Sequence, residues 1–137
     1  MAGTRTDRPT VYPVLTYRDA RAAVTLLTEA FGFTQVALYE GEDGSVAHAE
    51  FSYGNGMVML SSKSDKGAHG KATQDARATS VYVVIEDADV HFKRAEQHGA
   101  EILMPPTDQD YGSRDYIARD AEGNLWCFGT YAPGGDG

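Results

Sequence analysis

The strongest constraint on this chain is that one pattern is written in it twice. "VYPVLTYRDARAAVTLLTEAFGF" (11–33) joins a short β-branched and aromatic run to an Asp-led helical pattern that ends at a glycine. "TSVYVVIEDADVHFKRAEQHGAEIL" (79–103) does the same. The Asp-Ala pairs at 19–20 and 87–88 lie 68 residues apart, and Gly32 and Gly99 lie 67 apart. Each copy predicts a strand (about 11–17 and 80–85), an N-cap (Asp19 and Asp87) and a helix closed by its glycine. Three strand-like stretches then follow each helix. In the first copy they are "TQVALYE", "VAHAEFSY" and "MVMLSS", joined by "GEDG" and "GNG". In the second they are "EILMPP", "RDYIARD" and "NLWCFGTY", joined by a long loop and by "DAEGN". The order is β-α-β-β-β, twice.

A unit this short cannot bury its own sheet face, so two such modules are expected to act together. The predicted class is α+β: two βαβββ modules pairing into a curved mixed sheet, with helices on the outer face and a cleft on the inner face. The expected boundaries are a disordered tail at 1–10, a first module at 11–61, a flexible linker at 62–78, a second module at 79–131 and a disordered tail at 132–137. The linker, "SKSDKGAHGKATQDARA", holds almost no large apolar residue. Strand alternation sorts the faces. Ala47, Ala49 and Phe51, with Val81, Val83 and Ile85, should meet the helices. His48, Glu50 and Ser52, with Ser80, Tyr82 and Val84, should face the cleft, where small-molecule sites tend to form.

Composition narrows the partners. The net charge of −8 is spread along the 137 residues, without the clustered basic face that nucleic acid needs. Most of that charge reads as solvated surface. The longest apolar runs, such as "VYVVI" at 81–85, are far too short for a bilayer. One cysteine excludes an internal disulfide. The polar start shows no secretory pattern, so the expectation is a cytoplasmic protein with no nucleic-acid or membrane partner.

The doubled order, together with "RDAEGNLW" at 119–126, resembles the vicinal oxygen chelate superfamily: glyoxalase I, bleomycin-resistance proteins and extradiol dioxygenases. The octapeptide is similar to that family's R-D-P-x-G-N turn before the last strand, with Ala121 in place of the usual proline. The resemblance covers about residues 11–131. It implies that metal-dependent members hold a divalent ion with four inward His or Glu side chains, from the first and fourth strands of each module. The matching positions here are Tyr12, Leu60, Ser80 and Cys127. Their neighbours Val11, Pro13, Met59, Ser61, Thr79, Val81, Trp126 and Phe128 offer nothing better. A hard divalent ion needs oxygen or nitrogen donors, so the expectation is no metal and no cofactor. His48 and Glu50 supply at most two ligands from one strand. His91 and His98 are expected on a solvent-facing stripe of the second helix, and His69 in the mobile linker.

Without a metal, the predicted inner wall is aromatic and mildly polar: Tyr12, Tyr39, His48, Glu50, Leu60, Ser80, Tyr82 and Cys127. Flat rings there suit a planar ligand. Tyr111 and Arg114 join from the loop "PTDQDYGSRDY" (106–116), where Arg114 meets either a ligand's carboxylate or phenolate, or Asp110 or Asp115. Trp126 is placed at the core or the ligand wall, and Phe128 in the core. Cys127 has no activating neighbour in sequence and is not expected to act as a nucleophile. The leading expectation is a metal-free small-molecule binding protein of the glyoxalase/bleomycin-resistance type, sequestering a planar or hydrophobic antibiotic-like compound. By the same resemblance it is a homodimer. The alternative is a glyoxalase-like lyase, isomerase or dioxygenase, with a shifted metal site or with His48 or Glu50 in acid–base roles.

Overall fold

Asp19 and Asp87 begin equivalent helices. The Ala22 N–H donates to Asp19 Oδ1 and the Val90 N–H to Asp87 Oδ1, each at 3.1 Å. Each bond satisfies one amide that a helix start leaves bare. Gly32 and Gly99 follow the helical segments at φ of 81° and 84°, in the left-handed region that a Cβ disfavours. This computed structural model describes residue 9 and residues 11–74 and 78–132. The tails expected at 1–10 and 132–137 otherwise lie outside the described residues.

The chain forms two units, Met1–Arg77 and Ala78–Gly137. The first contains β1 (Val14–Tyr17), α1 (Ala20–Thr25, continued by a π-helical turn over Leu26–Ala30), β2 (Thr34–Glu40), β3 (Val46–Tyr53), β4 (Gly56–Ser62) and α2 (Gly67–Ala72). The second contains β5 (Ser80–Val84), α3 (Ala88–Gln97), β6 (Glu101–Asp108), β7 (Arg114–Arg119) and β8 (Leu125–Gly129). Strand order is β1-β4-β3-β2 in one sheet and β5-β8-β7-β6 in the other. In each, the first and last strands of the unit pair in parallel and the remaining pairs are antiparallel. The repeat is thus real in topology, and the class is α+β. The described strands form two four-stranded sheets, one per unit, rather than one continuous ladder.

Both cores lie on the helix side of their sheets. Leu15, Tyr17, Leu27, Phe31, Ala49, Phe51, Val58 and Leu60 are buried in the first unit; Val83, Ile85, Ala95, Tyr116, Ala118, Trp126 and Phe128 in the second. One alternation fails. Between Tyr39 and Glu40 the β2–β3 register shifts, pairing Tyr39 with His48 and Glu40 with Val46. This irregularity leaves Ala47 exposed and buries Val46 in its place.

Two further expectations change. His91 is buried, not on a solvent-facing stripe. With Ala88 and Ala95 it forms the inward 3–4 spacing of α3. Its Nδ1 lies 2.5 Å from the Tyr116 hydroxyl, and its ring centroid is 4.5 Å from that of Phe128. His98 does stay exposed. The stretch read as a flexible linker contains α2, and the Gln74 side-chain amide donates to the Ser64 carbonyl at 2.9 Å.

Candidate functional site

The turn that carried the resemblance is structural. Asp120 is buried, and its Oδ1 accepts the N–H groups of Glu122 and Asn124, each at 3.0 Å. Oδ2 accepts the Trp126 indole N–H and the Asn124 amide, each at 3.1 Å. Asn124 Oδ1 in turn accepts the Thr79 N–H at 2.9 Å, tying the turn to the segment that enters β5. The carboxylate therefore orients β8 from behind, and its oxygens are fully taken.

In the first unit, Val14, Met59, Glu50 and Ala37 share one rung of the sheet. The next rung carries Leu15, Leu60 and Ala49, all buried. Leu60 is therefore a core residue, not an inner-wall residue. Met59 takes the open rung, one residue away. Tyr39, His48 and Glu50 do stand together on the open face. The Tyr39 and His48 rings stack with centroids 6.2 Å apart, and His48 Nε2 lies 2.9 Å from Glu50 Oε2. Tyr12 is half-buried and precedes β1. At one end of this sheet a cavity of about 960 Å³ opens between the β2–β3 turn and residues 63–74. Its lining mixes polar and apolar groups, among them Ser61, Ser62, Lys63, Lys66 and His69 of α2 beside Val46 and Ala47. Asp43 on its rim is held below the ordinary carboxyl range, first by the Ser45 hydroxyl at 2.5 Å and then by the Ser45 N–H.

In the second unit the open rungs carry Ser80 beside Leu125, Tyr82 beside Cys127 and Ile117, and Val84 beside Gly129 and Asp115. The alternate rungs carry Val81 with Trp126 and Val83 with Phe128. Trp126 and Phe128 are fully buried. Trp126 is thereby assigned to the core, not the ligand wall. Ser80 Oγ and Cys127 Sγ are 4.0 Å apart.

The 109–113 loop folds onto this face. The Tyr111 hydroxyl donates to Asp115 Oδ2 at 2.6 Å, the Ser113 hydroxyl donates to Asp115 Oδ1, and the Tyr131 N–H donates to Ser113 Oγ at 3.1 Å. Tyr111 is pushed up to about 12, first by the hydrogen bond to Asp115 and then by partial burial and that carboxylate's charge. Gly129 makes the packing feasible. A Cβ there would collide with Asp115 Oδ1 and lie 2.5 Å from the Tyr82 hydroxyl. Asp115 and this glycine seat were missed as a site in the sequence. A glycine ending a strand rung was the available signal.

Arg114 stands apart from this group. Its guanidinium binds Asp89 of α3 through Nε and Nη2, each at 3.1 Å, and Asp108 through Nη1 at 3.0 Å. Those bonds, Asp89 first, raise its pKa, and they lower that of Asp89. Among the described residues its ion-pair partners are Asp89 and Asp108 rather than Asp110 or Asp115.

The four positions matched to chelating members do not suit a hard divalent ion. Tyr12, Ser80 and Cys127 bring phenol, alcohol and thiol, Leu60 is core, and Met59 beside it is a thioether. Among the described residues no three His, Cys, Asp or Glu side chains converge as a metal site requires.

A model of the Glyoxalase/Bleomycin resistance protein/Dioxygenase superfamily matches residues 10–128. The chain belongs to that superfamily. Its structure is similar to that of TioX from Micromonospora sp. ML1, with 32% identity, TM-score 0.71, and coverage of 89% of this chain and 99% of that one. It also resembles the fosfomycin resistance protein FosX from Mesorhizobium loti, at 18% identity and TM-score 0.62 over 91% and 93% of the two chains. An uncharacterised protein of Mycobacterium tuberculosis is 26% identical over 125 residues, 88% of this chain and 74% of that protein.

Proposed function

We propose that this protein binds a planar or hydrophobic, antibiotic-like small molecule and sequesters it without a metal or cofactor. The supporting observation is the open face of the second sheet, where Tyr82 and Cys127 share a rung and the Tyr111 ring joins them from a folded loop. Aromatic faces of this kind add about 0.5–1.5 kcal/mol per ring contact beyond burial. The donor set described above favours stacking over chelation. The superfamily's description includes bleomycin resistance proteins, which supports an antibiotic-like ligand. The acting form in this reading is a cytoplasmic homodimer. Support for the dimer is the exposure of Val14, Tyr39, Tyr82 and Val84 along open sheet faces. Light scattering on the pure protein should give twice the 14.8 kDa chain mass.

Isothermal titration against a panel of aromatic antibiotics tests the binding role. At least one compound should bind with one saturable site per chain; silence across a broad panel contradicts it. Elemental analysis of protein purified without chelator should find no stoichiometric nickel, zinc or iron. A second reading, acid–base catalysis, draws on the 2.9 Å His48–Glu50 contact on the first unit's open face. It predicts turnover of some electrophilic ligand that His48→Gln abolishes while binding persists.

A further inference from the structure

Two carboxylates in the second unit are buried, and they are satisfied in different ways. Asp120, 5% exposed, takes two backbone N–H groups, an indole N–H and an amide. Asp115, 8% exposed, accepts among the described residues from the hydroxyls of Tyr111 and Ser113. The ion-pairing arginines are engaged elsewhere: Arg21 with Glu40, Arg114 with Asp89 and Asp108, and Arg119 with Glu101. Among the described residues no Arg, Lys or His pairs with Asp115. A carboxylate removed from water without a counter-charge attracts a cation more strongly than one on the surface.

Three tyrosines lie near it, Tyr111 bonded to it directly and Tyr82 and Tyr131 through its neighbours Gly129 and Ser113. Tyr111 and Tyr131 meet edge to face, with centroids 5.9 Å apart and planes at 78°. The Tyr82 hydroxyl donates to the Tyr131 carbonyl at 2.7 Å and lies against Gly129 beside the carboxylate. With those two hydroxyls bound internally, what the Tyr82 and Tyr111 side chains leave for a ligand is mostly ring. Tyrosine faces carry the negative end of the ring quadrupole and attract cations. We propose that the second unit takes the positively charged group of its ligand at Asp115, framed by Tyr82, Tyr111 and Tyr131. This deepens, and rests on, the small-molecule reading above, and makes the ligand a planar cation. The net charge of −8 draws such a ligand toward the protein.

The test compares two probes on one ring frame near neutral pH: proflavine, which is cationic there, and acridine, which is neutral. Calorimetry at low salt should give proflavine at least about tenfold tighter binding, and the ratio should collapse toward one in Asp115→Asn. Equal affinities in the wild type, or a ratio kept in a folded Asp115→Asn protein, overturn the cation site and leave the small-molecule reading standing. If that variant fails to fold, amide chemical-shift mapping of the wild type with proflavine decides. Saturable shifts should centre on Asp115, Tyr82 and Tyr111, and saturable shifts confined elsewhere overturn the proposal. If neither probe binds but an antibiotic of the panel does, only the cation site falls. If nothing binds, both readings fall.

Discussion

The two units share one topology and differ in what their open sheet faces carry. In the first, His48 and Glu50 hold one another on β3, and the adjoining cavity mixes hydroxyls and charged groups of both signs with Val46 and Ala47. In the second, tyrosines and a thiol occupy the equivalent face, and a buried carboxylate is packed over a glycine. The helix-side cores, by contrast, are alike in kind: aromatic and aliphatic, capped by Asp at the same point. The two units share their packing and differ on the outer face. Recognition is therefore a property of side chains on alternate rungs rather than of the scaffold.

The largest effect should come from the shared part. Trp126→Ala leaves a cavity in the second core and should cost about 3–5 kcal/mol, measured by denaturant unfolding. Tyr39→Ala, on the first open face, should stay within about 0.5 kcal/mol. Comparable losses would erase the distinction between core and open face. Asp120→Ala strands the Trp126 indole N–H and the turn amides and should cost about 3 kcal/mol. Gly129→Ala should cost about 2 kcal/mol by overpacking, because Asp115 and Tyr82 must both move. It should also weaken ligand binding more than any single open-face change in the first unit. The caps sharpen the symmetry: Asp19→Ala and Asp87→Ala should each cost about 1 kcal/mol, and a marked inequality would mean the repeats are not energetically equivalent.

The smallest effect is a pH response. Because Tyr111 is raised to about 12, its neutral phenol is favoured by the fold. The contribution is complete below the ordinary tyrosine range near 10 and is lost as pH climbs from there through about 12. Difference absorbance of phenolate should lose one late-titrating component in Tyr111→Phe, beside any from the buried Tyr17 and Tyr116. A Tyr111→Phe protein that keeps every late component of the wild type contradicts the Tyr111–Asp115 bond.

Much of the fold was legible because it rests on local signals. Asp19, Asp87, Gly32 and Gly99 mark helix ends through backbone chemistry that acts over a few residues, and period-two alternation located Val83, Ile85, Ala49 and Phe51. The misses have a different origin. Ala47 was misplaced because a shift in strand pairing depends on the neighbouring strand and leaves no period in the sequence. His91 was counted as polar although its spacing with Ala88 and Ala95 was apolar. Leu60 lies one residue from the open rung because a matched position in the sequence carries no strand register; a slip of one reverses every face. Arg114 had four nearby acids to choose from in sequence or space, and only the tertiary placement of α3 selects Asp89. On the open face of the second sheet, Ser80 and Tyr82 follow from alternation, and Cys127 from the position matched to the family. Asp115 does not, since its role depends on a loop folding back across a side chain that Gly129 lacks.

Amide chemical-shift mapping with proflavine in the presence of a chelator tests the assignment of recognition to the second unit most directly. Saturable shifts centred on Tyr82, Tyr111, Asp115 and Cys127, with Tyr39 through Glu50 unmoved, are the predicted result. Shifts confined to His48 and Glu50, or binding that appears only when a divalent ion is restored, would contradict it.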